Sequence, residues 1–91
     1  MPVNWNAKKA SQNRKKHRVS FEEAQTVFAD PLMRIIPDEG HSEDEERFLA
    51  IGRSASGRML IVVHTERQGA PWIISARKAS RGEQRRYRND E

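Results

Sequence analysis

Apolar residues follow a helical spacing in the first third of this 91-residue chain and an extended spacing after it. Residues 6–17 carry Ala7, Ala10, Asn13 and His17 at intervals of three and four, which place them on one face of a helix. This spacing predicts a helix, whose face formed by these residues is only weakly apolar.

A second helix is predicted over 20–28, where the apolar face is stronger. Ser20 and Glu23 have the S-x-x-E spacing of a capping box, which specifies a helix start locally. The face formed by Phe21, Val27 and Phe28 is the one expected to be buried. Asp30-Pro31 ends the helix, because the residue before a proline is pushed out of the helical region.

Beyond residue 31 the pattern predicts four strands, over 32–36, 47–52, 59–66 and 72–77. The last two connections, 54–57 and 68–71, are short and rich in turn residues, which favours antiparallel hairpins. A final helix is predicted over 81–88, and residues 3–5 are a candidate edge strand. The order indicates a single α+β domain over 1–91: an antiparallel sheet of about four strands with two N-terminal helices and one C-terminal helix packed on one face.

Charge is divided along the chain more sharply than the net value of +4 suggests. Residues 1–18 hold six basic and no acidic residues, residues 19–46 nine acidic and one basic, and residues 47–91 ten basic and four acidic. Two basic flanks around an acidic middle indicate one surface for a polyanion and another for a cationic partner, although solvated charged faces give the same pattern. The chain has no cysteine, which excludes disulfides and thiolate metal sites, and no long apolar run, so we expect a cytoplasmic protein.

The junction between the last strand and the last helix carries the most specific signal. The apolar segment 73–76 ends in Arg77 and Lys78, and Ser80 with Glu83 forms a second capping box directly after it. A basic side chain at such a corner can face a phosphate from a rigid element. The pattern predicts an anion site there.

Four segments resemble BrnT-type toxins, and they occur in the order typical of that family. They are 13–24 (NRKKHRVSFEEA), 46–52 (ERFLAIG), 62–67 (VVHTER) and 73–79 (IISARKA). The resemblance implies a RelE-like fold and a ribonuclease that acts as the toxin of a type II toxin–antitoxin pair. It also implies a BrnA-like antitoxin with a ribbon-helix-helix fold, which binds operator DNA and neutralises the toxin by direct contact in a hetero-oligomer. Arg18, Trp72 and Gly82 depart from the family pattern, and Trp72 replaces a residue that is often arginine.

RNA cleavage by the ribose 2′-hydroxyl needs a base, an acid and cations around the phosphate, and it needs no metal. Arg67 and Arg77 each close a strand, and at neighbouring strand ends they would clamp one phosphate. His17, which the resemblance brings close to them, is the candidate for proton transfer, and Glu83 would orient an arginine. Surface ion pairs and a structural histidine are the alternatives for the same residues.

Further cationic and aromatic residues are candidates for RNA binding: Lys16, Lys78, Arg85, Arg86 and Tyr87. His64, on a strand face with Leu60 and Val62, is better explained by packing. The acidic run 43–46 lacks the ligand spacing of a calcium loop, so no metal and no cofactor are expected.

The alternative to a ribonuclease is a small basic module that binds RNA or DNA without cutting it. The occurrence of histidine, glutamate and arginine together favours the enzyme. The chain also lacks the aromatic-rich strand and the glycine loop of common RNA-binding modules. A structural partner protein that uses the acidic middle is a third possibility.

Overall fold

The computed structural model describes residues 2–41 and 45–89. Along the chain the elements are β1 (Asn4–Trp5), α1 (Ala7–His17), α2 (Phe21–Gln25), a 3-10 helix (Thr26–Ala29), β2 (Arg34–Pro37), a short 3-10 turn (Glu39–His41), β3 (Phe48–Arg53), β4 (Met59–Arg67), β5 (Ala70–Lys78) and α3 (Arg81–Asn89). The predicted helices and strands are therefore present, with bounds that differ by one to a few residues. The predicted helix over 20–28 is divided into α2 and the tighter 3-10 turn.

The five strands form one mixed sheet in the order β1-β5-β4-β3-β2. Strands β2 to β5 are antiparallel, as predicted, whereas β1 pairs with β5 in parallel, with Asn4 opposite Trp72 and Trp5 opposite Ile73. The prediction of about four antiparallel strands was incomplete, because the candidate edge strand at residues 3–5 belongs to the same sheet, as β1, and pairs with β5 in parallel.

The helices lie on both faces of the sheet, so the prediction that they pack on one face was wrong. The larger core lies under α1 and α2 and contains Val19, Phe21, Ala24, Val27, Ala50, Leu60, Val62, Ile73 and Ala76. The smaller core lies on the opposite face, where Tyr87 of α3 packs with Ile51, Met59, Ile61 and Ala79. Neighbouring strand residues such as Ala50 and Ile51 point to opposite faces, and both are apolar, so each face needs a cover.

A β-bulge at Ile74 decides which β5 side chains share a face. Val63 of β4 pairs with Ser75, whereas the next residue, His64, pairs with Ile73. The extra residue puts both Ile73 and Ala76 into the larger core. It also turns Ser75 and Arg77 to the face that carries α3, as expected for a bulge that re-aims side chains.

The side chain of Asn13 fastens α1 to the free edge of β5. Beyond Ile73, β1 no longer covers this edge. The Asn13 amide takes its place, because its Nδ2 donates to the Ala76 carbonyl at 2.9 Å and its Oδ1 accepts from the Ala76 N–H at 3.1 Å. Nδ2 also donates to the carbonyl of Val19 at 3.0 Å. Asn13 is buried, so these bonds hold α1, the start of α2 and β5 in one arrangement.

We expect Asn13→Ala to lower the free energy of unfolding by roughly 2–4 kcal/mol, because buried peptide groups that lose their partners cost about 1–3 kcal/mol each. Urea unfolding measures this. The control is Gln12→Ala, an exposed position on the same helix, where an effect within about 0.5 kcal/mol is expected. Equal stabilities of the two variants would show that the amide contacts are dispensable.

Candidate active site

A shallow cleft of about 220 Å³ lies between α1 and the free edge of β5. From α1 it is lined by Lys9, Gln12, Asn13, Lys16 and His17, and from β5 by Ile74 and Ser75. His17 follows Asn13 by four residues and therefore lies on the same side of the helix. The docking of Asn13 on Ala76 thus brings two predicted site residues, Lys16 and His17, next to β5.

Arg77 and Glu83 form a bidentate ion pair at the corner between β5 and α3. Arg77 Nη1 donates to Glu83 Oε1 at 2.8 Å, and Nη2 donates to Oε2 at 2.7 Å. The capping box fixes the carboxylate, since the Ser80 N–H donates to Glu83 Oε1 at 2.7 Å and the Glu83 N–H donates to Ser80 Oγ at 3.2 Å. The predicted capping box is confirmed, and Glu83 orients Arg77.

The hydrogen bonds from Arg77 lower the pKa of the Glu83 carboxyl to about 2, although its burial acts in the opposite direction. Glu83 is therefore a carboxylate at neutral pH, and its low basicity makes it a poor proton acceptor. The same ion pair raises the pKa of Arg77. The Arg77 side chain is 42% exposed, so a positive charge of fixed orientation faces solvent at the corner between β5 and α3.

Arg67 lies at the other end of the sheet, so the predicted clamp of Arg67 and Arg77 on one phosphate is wrong. Arg77 is paired with Ile61, and Arg67 is six residues further along β4, opposite Ala70. At about 3.3 Å per residue, roughly 20 Å separate the two Cα atoms. The physical reason is the antiparallel hairpin, because its two strands run in opposite directions and their last residues therefore lie at opposite ends of the sheet. Both arginines nevertheless point to the same sheet face.

The surroundings of Arg67 are aromatic and acidic. Its guanidinium carbon lies 4.4 Å from the centre of the Trp72 ring, and its Nη2 is 3.6 Å from Oε1 of Glu45. Nearby, the buried Thr65 donates its hydroxyl to the carbonyl of Glu46 at 2.6 Å.

The remaining predicted RNA contacts divide into exposed and buried residues. Lys78 at the end of β5 is exposed, as are Arg85 and Arg86 on α3. Tyr87, in contrast, is buried in the smaller core, and its hydroxyl donates to Oδ2 of Asp30 at 2.8 Å. It joins α3 to the turn before β2 and does not face a surface that RNA can reach.

A second, larger cleft of about 900 Å³ lies between the end of α1 and the β3–β4 turn, and sequence reasoning missed it. It is lined by Arg14, Lys15, Arg18, Ser20, Glu22, Glu23 and Arg58. The basic run 14–18 indicates a cationic end of α1, but Arg58 is 40 residues beyond Arg18 in the chain, and no local sequence pattern links Arg58 to this run.

Glu23 is the centre of the polar network in this second cleft. It accepts hydrogen bonds from Ser54 Oγ at 2.6 Å, Ser56 Oγ at 2.5 Å and Arg58 Nε at 3.0 Å, and a further one from Arg58 Nη2. The Arg58 guanidinium is the main cause that lowers the Glu23 pKa to about 2. Because Arg58 is committed to this ion pair, the network fastens the β3–β4 turn to α2.

His64 is buried in the larger core, between the rings of Phe28 and Phe48 at 5.0 and 5.6 Å. Burial lowers its pKa, which favours the neutral form of the ring. Neither ring nitrogen has a hydrogen-bond partner within residues 2–41 and 45–89. This agrees with the packing interpretation of His64.

Among the residues that the structure describes, no group of three or more histidine, aspartate or glutamate side chains is placed to hold a metal ion. The acidic run 43–46 was the sequence candidate, and its residues 43 and 44 lie outside the described part of the chain. Within that described part, no helix is long and apolar enough to cross a membrane.

Comparison with known proteins identifies a protein family and a solved structure of similar fold. The model of the family described as "Ribonuclease toxin, BrnT, of type II toxin-antitoxin system" matches residues 5–83. The crystal structure of the Brucella abortus ribonuclease toxin BrnT superposes with a TM-score of 0.68 at 23% sequence identity, covering 89% of this chain and 99% of the Brucella chain. That likeness supports the fold. No curated protein matches the sequence.

Acid should weaken the fold through Glu83 in a defined pH range. Because the pKa of Glu83 falls from an ordinary 4.5 to about 2 on folding, its ion pair stabilises the native state above pH 4.5 and is lost as the pH falls towards 2. We expect Glu83→Gln to lower the free energy of unfolding at pH 7, and this difference from the wild type to shrink steadily below pH 4.5. Urea unfolding at a series of pH values measures it, and a difference that stays constant down to pH 2 would contradict the ion-pair account.

Proposed function

Because the chain belongs to the BrnT family of ribonuclease toxins of type II toxin–antitoxin systems, we propose that it cleaves RNA at the C-terminal half of β5, without a metal ion. One observation carries this proposal. Arg77, oriented by Glu83, projects from the same strand face as Ser75, and Ser75 lines the cleft that holds Lys16 and His17. Phosphate cleavage needs a fixed cation and a group that transfers protons, and the end of β5 has Arg77 on its α3 face and His17, from α1, at its free edge.

In the proposed reaction the ribose 2′-oxygen attacks the adjacent phosphorus. The O2′–P bond forms and the P–O5′ bond breaks, so the products are a 2′,3′-cyclic phosphate and a 5′-hydroxyl. His17 accepts the 2′-hydroxyl proton, or returns a proton to the leaving 5′-oxygen, and Lys16 is the substitute for either transfer. Arg77 stabilises the extra negative charge on the phosphate oxygens, because a guanidinium already held in place needs no reorganisation during the reaction.

Glu83 acts through Arg77 and makes no contact with RNA in this scheme. Its low pKa keeps the carboxylate charged, so the bidentate bond is maintained across neutral pH. Lys78, Arg85 and Arg86, all exposed around the same corner, supply further positive charge for the RNA backbone.

A cognate antitoxin is the second proposed partner, and the family name implies it. We propose a BrnA-like protein with a ribbon-helix-helix fold that covers the cationic surface in the cytoplasm, so that the toxin meets operator DNA only through the antitoxin. Acidic and aromatic groups are the side chains that neutralise such a surface by electrostatic complementarity.

Substitution of the proposed catalytic residues tests the cleavage site. We expect Arg77→Ala to lower the rate of RNA cleavage on the order of 100-fold or more, because it removes a transition-state contact. We expect His17→Ala to lower it roughly 100- to 10,000-fold through lost proton transfer. Cleavage of labelled RNA in the presence of EDTA, with analysis of the product ends, measures both the rates and the chemistry.

The control for these variants is Lys8→Ala, which removes one positive charge from an exposed position in the first turn of α1. It should leave the cleavage rate close to that of the wild type. Folded Arg77→Ala and His17→Ala variants that cut RNA at the wild-type rate would refute the assignment. RNA binding by the wild type without any cleavage would favour the non-catalytic binding module.

The toxin–antitoxin complex should weaken as salt rises, if opposite charges dominate its interface. Raising the ionic strength from about 0.1 M to about 1 M shortens the screening length from about 10 Å to about 3 Å. We expect the dissociation constant measured by titration calorimetry to increase across this range. A dissociation constant that does not change with salt would indicate an interface based on apolar contacts.

A further inference from the structure

The Arg67 guanidinium lies over the Trp72 ring on the sheet face that also carries Arg77, so the two side chains form a two-layered flat surface. The Arg67 guanidinium carbon lies over the indole ring at 4.4 Å. The two residues are diagonal neighbours on β4 and β5, since Thr65 pairs with Trp72 and Arg67 pairs with Ala70. Both strands belong to the centre of the sheet, so this position is set by backbone hydrogen bonds.

The outer side of this layer is accessible. The Arg67 side chain is 51% exposed although it lies over the ring, and Trp72 is itself partly exposed. Glu45, 3.6 Å from Arg67 and 41% exposed, limits the guanidinium on one side. Within residues 2–41 and 45–89, the smaller core under α3 extends along β4 only as far as Ile61 and does not reach this end of the face.

Flat surfaces of this kind bind unpaired nucleic acid bases. Aromatic rings and arginine guanidinium planes both stack on bases in single-stranded RNA, and the positive charge attracts the neighbouring phosphate. A base in a duplex is already stacked on both sides and cannot be received in this way. The chemistry of the site therefore selects a single-stranded segment.

We propose that Trp72 and Arg67 form a stacking platform for one unpaired base of the RNA substrate, away from the cleaved bond. The inference rests on the proposed cleavage at β5. Roughly 20 Å separates the Cα atoms of Arg67 and Arg77. A stacked RNA strand spans this distance with about six nucleotides at about 3.4 Å each, and an extended strand spans it with fewer nucleotides. Arg67 thereby acts in substrate selection, and the larger ring of a purine should be preferred at that nucleotide because it overlaps the platform more fully.

Tryptophan fluorescence provides the first test. The chain has two tryptophans, and Trp5 contacts Phe21 edge-on in the larger core, so a Trp5→Phe protein keeps an aromatic ring there and leaves Trp72 as the reporter. A single-stranded oligonucleotide with 2′-O-methyl ribose lacks the attacking hydroxyl and stays intact. Its binding should quench Trp72 emission, and an abasic residue at one position of the oligonucleotide should abolish the quenching.

Affinity measurements with variants provide the second test. Arg67→Lys keeps the charge and loses the plane, so it should weaken binding of the intact oligonucleotide by about 5- to 150-fold, the range for one stacked base. For the oligonucleotide in which the critical residue is abasic, Arg67→Lys and the wild type should have equal affinities. Trp72→Phe should recover most of the affinity that Trp72→Ala loses. The control is Arg88→Lys, an exposed position at the end of α3, where affinity should not change.

The outcomes separate this inference from the proposed function. If the wild type cleaves RNA but Arg67→Lys binds normally and no abasic position matters, the platform is refuted and the cleavage site stands. If quenching of Trp72 is seen with the antitoxin and not with RNA, the surface belongs to the protein partner and the inference is wrong. If the wild type neither binds nor cleaves RNA, the proposed function fails together with it.

Discussion

The geometry of the proposed site depends on the buried amide of Asn13. A strand edge that is covered by a helix has N–H and C=O groups that water cannot reach, and each must find a partner. Asn13 supplies both partners for Ala76 and also binds Val19, so it replaces a strand that β1 is too short to provide. Because α1 is rigid, this docking also fixes His17, one turn further on, beside Ser75.

A second constraint acts on the other face of the same strand. The bulge at Ile74 turns Arg77 towards α3, where the carboxylate of Glu83 holds it in a bidentate ion pair. Strand β5 thus has α1 docked at its free edge and the guanidinium of Arg77 held on its α3 face. Ser75 belongs to both regions, because it lines the cleft with α1 and shares its strand face with Arg77. The positions of His17 and Arg77 therefore depend on two sets of side-chain hydrogen bonds, those of Asn13 to the backbone and those of Glu83 to the guanidinium, and not on a large core.

The sequence predicted the elements whose signals are local. The spacing of Phe21 and Val27, the capping box at Ser80 and Glu83, and the short hairpin turns all lie within a few residues of one another, and each is present in the structure. The split of the helices between two faces, the parallel β1 and the bulge at Ile74 result from contacts between distant segments. The misplaced clamp of Arg67 and Arg77 has a different origin, because the antiparallel hairpin that the sequence predicts already places the end of β4 opposite the start of β5.

Two cationic regions are candidate sites for RNA, and each contains an arginine paired with a glutamate. The larger cleft has the pair of Arg58 with Glu23 together with the exposed Arg14, Lys15 and Arg18. The site at β5 has the pair of Arg77 with Glu83 together with Lys16 and His17. Backbone and arginine side-chain NMR shifts, followed during titration with uncleavable 2′-O-methyl RNA, decide between them most directly. The account predicts that the largest changes lie at His17, Ser75 and Arg77. Changes confined to Arg14, Arg18 and Arg58 would contradict it.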